Sequence, residues 1–287
     1  MTLIAIPNVS EGRDLSTIGR LEGAVSSHAR LLDTHSDGVH HRSVLTCSGS
    51  DDDLVLAMTA LADAATTLDL THHEGAHPRV GVLDVCPIVP HGSSLEEAIR
   101  VAHRTGSSIG GEVGLPVYFY GAAATTPERR ELPQLRKGGL AGLIARAEAG
   151  SAPDEGPQVI DPRHGVVCVG AREVLIAFNV WLDASVEVAR SIATKVRSAG
   201  DGPQGIRALA IPLSGSSSQV SMNLTAPHLT GIEQAFELVE RAAERAGVRV
   251  LNTEIVGLVP ERFLPPQNAK AARLLRGPGR SLESQLA

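Results

Sequence analysis

At 287 residues the chain is long enough for one large domain or two small ones. Its 43% hydrophobic and 20% charged residues describe a globular protein, and a net charge of −6 argues against nucleic acid as the main partner. Aromatic residues make up only 2%, so the core must be built from Ala, Val, Leu and Ile.

The N-terminus enters a short apolar run at residues 3–7 without the basic flank or long apolar region of a signal peptide. Residues 14–25 follow with helical spacing (Leu15, Ile18, Leu21, Ala24) and Asp14 or Ser16 as cap. Residues 30–35 and 43–47 read as strands around the turn Ser36-Asp37-Gly38. Residues 51–67 read as a helix with Asp51, Asp52 and Asp53 at its positive end. Residues 80–88 complete a β-α-β-β-α-β order. A helix at 95–103, a strand at 116–120 and a Pro/Gly-rich connector at 151–165 follow. The order then returns. It comprises a strand at 174–182, a helix at 185–199 ended by Gly200, strands at 206–213 and 219–224 around Ser214-Gly215-Ser216, a helix at 230–246 ended by Gly247, and a strand within 248–259.

A split β-α-β unit of this order is the ferredoxin-like arrangement. The expected fold class is therefore α+β, with two ferredoxin-like subdomains whose bare sheet faces can pack together and hold a ligand between them. The expected division is 1–172 and 173–287. No apolar run approaches the ~20 residues of a membrane span. Cys47, Cys86 and Cys168 are far apart and read as buried apolar residues in a reducing compartment. A cytoplasmic protein without nucleic acid or membrane partners is the expected setting.

The chemistry-bearing residues concentrate in Thr71-His72-His73-Glu74-Gly75-Ala76-His77-Pro78-Arg79, a loop that feeds an apolar run. Histidine both takes and gives a proton near neutral pH. A second cluster, His35-Ser36-Asp37-Gly38-Val39-His40-His41-Arg42, straddles a hairpin turn. Together the clusters hold enough imidazoles for a zinc site, but their spacing fits no H-E-x-x-H pattern. Asn8-Val9-Ser10-Glu11-Gly12-Arg13 lies at a strand's carboxyl end, where α/β proteins often place ligand contacts. On composition alone the 151–165 connector reads as a linker.

Several long segments resemble the glutamate formiminotransferase family and occur in its order. They are Ile6-Pro7-Asn8-Val9-Ser10-Glu11-Gly12-Arg13, Gly75-Ala76-His77-Pro78-Arg79-Val80-Gly81-Val82-Leu83-Asp84-Val85-Cys86-Pro87, Pro116-Val117-Tyr118-Phe119-Tyr120-Gly121, Gly170-Ala171-Arg172-Glu173-Val174-Leu175-Ile176-Ala177-Phe178-Asn179 and Val256-Gly257-Leu258-Val259-Pro260. The resemblance is to the form without a cyclodeaminase domain. It implies two ferredoxin-like subdomains packed around a tunnel for a reduced folate, assembled as a homodimer, and transfer of a formimino group from N-formiminoglutamate to tetrahydrofolate, as in histidine breakdown. The family's catalytic histidine matches His77. Its folate loop matches Gly156-Pro157-Gln158-Val159-Ile160-Asp161-Pro162-Arg163-His164-Gly165, which turns the apparent linker into a binding loop. The departures are Ala76, where the family usually has Glu before the histidine; His35 and His41, where Asp and Asn are usual; and His164, where Trp is common. A lysine-rich stretch is shortened to Gly200-Asp201-Gly202-Pro203-Gln204-Gly205.

One imidazole between two nitrogens can carry the proton this transfer requires, so neither a metal nor a nucleophilic side chain is expected. Arg42 and Arg79 are candidates to hold donor carboxylates, and His41 is a further candidate contact. The resulting reading is a folate-dependent transferase of a formimino or formyl group from N-formiminoglutamate or a related donor; two rival classes are a metal-dependent hydrolase of formimino or amide substrates using the histidine clusters, and a non-catalytic folate-binding homologue.

Overall fold

A computed structural model of the chain describes residues 2–213, 215–277 and 279–287. It is a mixed α/β structure with two sheets that divides into two compact units, Met1–Glu173 and Val174–Ala287.

The first unit contains, in order, β1 (Thr2–Ala5), β2 (Asn8–Val9), α1 (Leu15–Ser26), β3 (Arg30–Asp37), β4 (Arg42–Gly49) and α2 (Asp51–Ala65). It continues through β5 (Leu83–His91), α3 (Leu95–Ser108), β6 (Val117–Gly121), α4 (Leu132–Leu135), α5 (Gly139–Glu148) and β7 (Val167–Ala171). Strand β1 pairs antiparallel with both β4 and β5, and β3 adds to β4. Asp14 caps α1 as expected, accepting from the Ser16 amide at 3.0 Å. Helix α2 opens on a reciprocal cap between Ser50 and Asp53 and buries Leu54, Met58 and Leu61 at helical spacing. Each such side chain contributes roughly 1.5–3 kcal/mol when fully buried.

The sheet does not stop at the strands expected of the first half. Strand β7 pairs parallel with β5, and β6 pairs parallel with β7. The strand at 167–171 is absent from the sequence reading, as is α5. These added strands are covered on both faces. Val117, Phe119, Val167 and Val169 join the core under the longer helices, while Tyr118, Tyr120 and Cys168 pack with Leu135 and Leu143 on the other face. A strand buried on both sides reads as an unbroken apolar run without alternation, so residues 166–171 carry no period-two pattern to mark them as a strand.

The second unit runs β8 (Ile176–Leu182), α6 (Val186–Val196), β9 (Ile206–Pro212), β10 (Ser218–Leu224), α7 (Ile232–Arg245), β11 (Val250–Val256), α8 (Lys270–Arg273) and α9 (Leu282–Leu286). Its four strands are antiparallel in the order β11-β8-β10-β9. Phe178, Val180, Phe236 and Val239 form the centre of its core. Helix α6 ends at Val196, before the expected Gly200. The chain doubles back over the helix end there: a Cβ on Gly200 would lie 2.1 Å from the Thr194 carbonyl oxygen, and one on Gly202 2.0 Å from that of Val196. Gly200 and Gly202 permit this close approach rather than simply ending the helix. Gly247, by contrast, follows α7 at φ 68° as expected. The Leu213 amide donates to the Ser217 carbonyl across the β9–β10 turn, in which Ser214 lies outside the described residues.

The three thiols are free and buried, and burial raises their pKa values, to about 12 for Cys47 and Cys168. Among the described residues no helix is long and apolar enough to cross a membrane.

Candidate active site

Four segments of the first unit are stitched together beside the N-terminal end of β5. The Ser10 amide donates to the Val82 carbonyl and its hydroxyl to that of Gly81, both at 2.8 Å. The Ser43 hydroxyl donates to the Glu11 carbonyl at 2.6 Å, and the Ala76 amide to the Val39 carbonyl at 3.1 Å. The Val82 amide donates to the His164 carbonyl at 2.9 Å, and that of Val166 to Val80 at 2.9 Å. Glycine makes the crossings possible. A Cβ on Gly12 would stand 2.4 Å from the Asp37 carbonyl oxygen, and one on Gly75 2.5 Å from that of His40.

His77 stands at the centre of this junction and is partly exposed. Its Nδ1 lies 2.7 Å from the Pro78 carbonyl oxygen, so Nδ1 carries the hydrogen and Nε2 the lone pair. Arg42 Nη1 approaches within 2.8 Å of Nε2 and 3.2 Å of Nδ1. Burial, then the charges of Arg42, Arg136 and His40, hold the imidazole pKa well below its ordinary 6.5. His77 is therefore neutral at pH 7, the state a general base requires. A backbone carbonyl orients the ring without the missing acidic neighbour at position 76.

Arg79 is turned into the protein. Its Nε and Nη2 donate to the His77 carbonyl, Nη2 also to that of His40 at 2.7 Å, and Nη1 to that of His41 at 3.0 Å and to His73. The guanidinium's five N–H groups thus all have acceptors in the protein. His73 stacks on His41 with ring centroids 3.9 Å apart, and burial followed by the Arg79 charge lowers its pKa to about 4.

His41 occupies the left-handed region at φ 49°, at the end of the β3–β4 turn. Its Nδ1 meets the Glu74 carbonyl at 2.9 Å and its Nε2 the Glu11 carboxylate at 3.1 Å. The same Glu11 oxygen accepts the amides of Gly12, Arg13 and Asp14 at 2.8, 2.7 and 3.0 Å. Burial would raise the Glu11 pKa, but the amides of Asp14 and Arg13 and the adjacent His41 outweigh it and keep it low. His40 is paired with Asp37 at 3.0 Å, and His72 is exposed.

Asp84 and Arg136 complete the surroundings. Asp84, fully buried on β5, accepts the Val80 amide at 2.8 Å with one oxygen and pairs with Arg136 through the other. Arg136 sits at the C-terminal end of α4, where Arg146 of α5 holds the carbonyls of Leu135 and Lys137 on either side of it. The parallel extension of the sheet brings this cation near His77. No local pattern marks Arg136 as a site residue, and the sequence reading passed over it.

The 156–165 loop crosses the same strand edge. Gly156, at φ 76°, is pressed against the Leu115 carbonyl, and Gly165, at φ 68°, bridges to Gly81. Ile160 is buried in the core, whereas Pro157, Gln158 and Val159 are exposed, Val159 to 84%. Asp161 is held locally by Arg163, with Nη2 at 2.7 Å and the Arg163 amide at 2.9 Å. Hydrogen bonds from Arg163 lower its pKa to about 2. His164 Nδ1 is 3.9 Å from the same carboxylate.

A family model of the formiminotransferase domain, N-terminal subdomain, matches residues 2–172, and one of the formiminotransferase domain matches residues 177–269. The chain belongs to the formiminotransferase family. It is 37% identical to the glutamate formimidoyltransferase of Streptococcus pyogenes, over 90% of this chain and 89% of that protein. It is 38% identical to the enzyme of that name from Thermoplasma acidophilum, over 92% and 90%. It is 36% identical to the formimidoyltransferase-cyclodeaminase of Sus scrofa, over 90% of this chain but 50% of that protein.

Within this formiminotransferase chain the structure groups His77, His41, Arg42 and Arg79, with the 156–165 loop crossing the adjacent strand edge. Arg42 directs its guanidinium at His77, Arg79 directs its own at backbone carbonyls, and His41 joins Glu11 to the His77 loop. Among the described residues no three His, Cys, Asp or Glu side chains come together as metal ligands would.

Proposed function

We propose that this enzyme is a transferase that moves a formimino group from N-formiminoglutamate to tetrahydrofolate, with His77 as general acid–base. The names of its relatives support formimino transfer. The single observation supporting the catalytic role is the state of His77: a neutral imidazole, oriented by the Pro78 carbonyl, at the crossing of four segments.

In this scheme the folate secondary amine attacks the amidine carbon and forms the new C–N bond. His77 Nε2 takes the proton from the attacking nitrogen. It returns that proton to the glutamate nitrogen as the old C–N bond breaks, so formiminofolate and glutamate leave with no net proton change. Arg42 holds a donor carboxylate, and Arg79 and His41 act as positioning residues. The 156–165 loop binds the folate. The local pairing of Asp161 with Arg163 supports this, because it neutralises a charge that would otherwise repel the folate's acidic tail. We read residues 1–172 and 173–287 each as a ferredoxin-like subdomain, a reading supported by the β11-β8-β10-β9 order and by the path β5-β1-β4-β3. No metal takes part in this scheme.

The test is conversion of N-formiminoglutamate and tetrahydrofolate to 5-formiminotetrahydrofolate, detected as methenyltetrahydrofolate absorbance after acidification. Turnover with this donor is expected to exceed turnover with formyl donors and with formimino compounds of other amines. Equal or greater turnover with another member of that panel would reassign the donor.

A further inference from the structure

Three guanidinium groups surround His77, and two already have partners. Arg79 gives its N–H groups to carbonyls and His73, and Arg136 is paired with Asp84. Arg42 differs. It forms no ion pair with a carboxylate among the described residues, and its side chain meets the neutral ring of His77 instead. It sits largely buried at the start of β4.

That contact sets a positive charge against the ring, with Arg42 Nη1 within 3.2 Å of both ring nitrogens and so over the ring face. The Nδ1 hydrogen of His77 is engaged by the Pro78 carbonyl, so Nε2 is the basic atom, and Arg42 Nη1 stands 2.8 Å from it. A proton arriving at Nε2 would place an imidazolium against a guanidinium, with Arg136 a further cation nearby. The negative groups facing this space are Asp84, already paired with Arg136, and Asp37, already paired with His40. With Arg42 in this position protonation of His77 is opposed, and the imidazole is a weaker base than it would be with that charge withdrawn.

We propose that Arg42 is an anion-operated latch on His77 and thereby determines donor specificity. Without donor its charge lies against the ring and opposes protonation of Nε2; a carboxylate of the bound donor draws the guanidinium away and removes the opposing charge. The base becomes competent only when a carboxylate-bearing donor is present. Uncharged amidines therefore fail to switch it on even if they fit. This inference rests on the reading of His77 as the acid–base group.

The test follows His77 directly and needs no turnover. The full-length protein labelled with 15N-histidine is titrated by NMR with and without glutarate, a dicarboxylate with no transferable group. The wild-type His77 midpoint should lie well below pH 6.5 and rise by at least one pH unit with glutarate. In Arg42→Met the midpoint should be high already and should not respond to glutarate. Arg42→Lys, which keeps the charge, should fall between them and serves if the methionine variant fails to fold. An unmoved wild-type midpoint with glutarate overturns the latch, as does an Arg42→Met midpoint equal to wild type. If His77→Asn retains full turnover, the acid–base reading itself fails; if that variant is inactive and glutarate leaves His77 unmoved, only the latch fails.

Discussion

His77 is defined less by being a histidine than by what surrounds it. His72 and His73 stand five and four residues away, yet one is exposed and the other is locked between His41 and Arg79. Replacing His77 with Asn keeps the side-chain size but removes the base, so turnover should fall by ~10²–10⁴-fold while folate affinity, read by equilibrium binding, is retained. His72→Asn should change turnover by less than about twofold in the same assay, since an exposed surface substitution disturbs little. Because burial and neighbouring cations lower the His77 pKa, the neutral form persists into mild acid. The acid limb of kcat/KM should therefore lie below pH 6.5, and a limb at or above 6.5 would contradict the assigned electrostatics. Arg79→Met tests the positioning role. It leaves the carbonyls of His40, His41 and His77 without their donor, each worth ~1–3 kcal/mol when unsatisfied and buried. Partial solvent access puts the expected loss in urea unfolding at about 2 kcal/mol.

At the scale of elements, the site is a set of loops pinned to one strand edge. Each loop was visible in the sequence as a polar segment rich in Gly, His or Arg, but no local rule says that they cross. Gly12 is the clearest case. It reads as a turn glycine, whereas in the structure its missing Cβ lets residues 8–13 pass the backbone of Asp37 and Arg42. Gly12→Ala should cost ~1–3 kcal/mol of stability through overpacking and lower activity by displacing Arg42. Gly19→Ala, with nothing within 4 Å of the new Cβ and a helical position, should be neutral or slightly stabilising. Thermal unfolding separates the two. The 156–165 loop should lose hydrogen-exchange rate at saturating tetrahydrofolate. Unchanged exchange at Gln158 and Val159, which are exposed without ligand, would remove the loop from the binding site.

For the molecule as a whole, the same groups govern behaviour in acid. His73 and His77 have folded-state pKa values below the 6.5 of an ordinary histidine. Above pH 6.5 they are neutral in both states and cost nothing. As the pH falls below 6.5 the unfolded chain takes up protons that the folded chain refuses, and stability declines. Glu11 acts further down: its pKa lies below 4.5, so its contribution is present above that value and is lost as the pH falls through its folded pKa. The urea midpoint should therefore drop between pH 7 and 5, and a His73→Asn, His77→Asn double variant should flatten that drop. What the sequence determined by itself was the doubled order of strands and helices and the loops that carry reactive side chains, because hydrophobic periodicity and caps are local properties. The family's motifs singled out His77 in the same way. What only the tertiary structure decided was the parallel β5-β7-β6 extension, the arrival of Arg136 beside His77, and the different fates of Arg42 and Arg79. The physical reason is that charge and hydrogen-bond partners are set by distance in space: two arginines alike in a sequence become a carbonyl clamp and a charge set against an imidazole only when folding brings segments thirty to a hundred residues apart within 3 Å of one another.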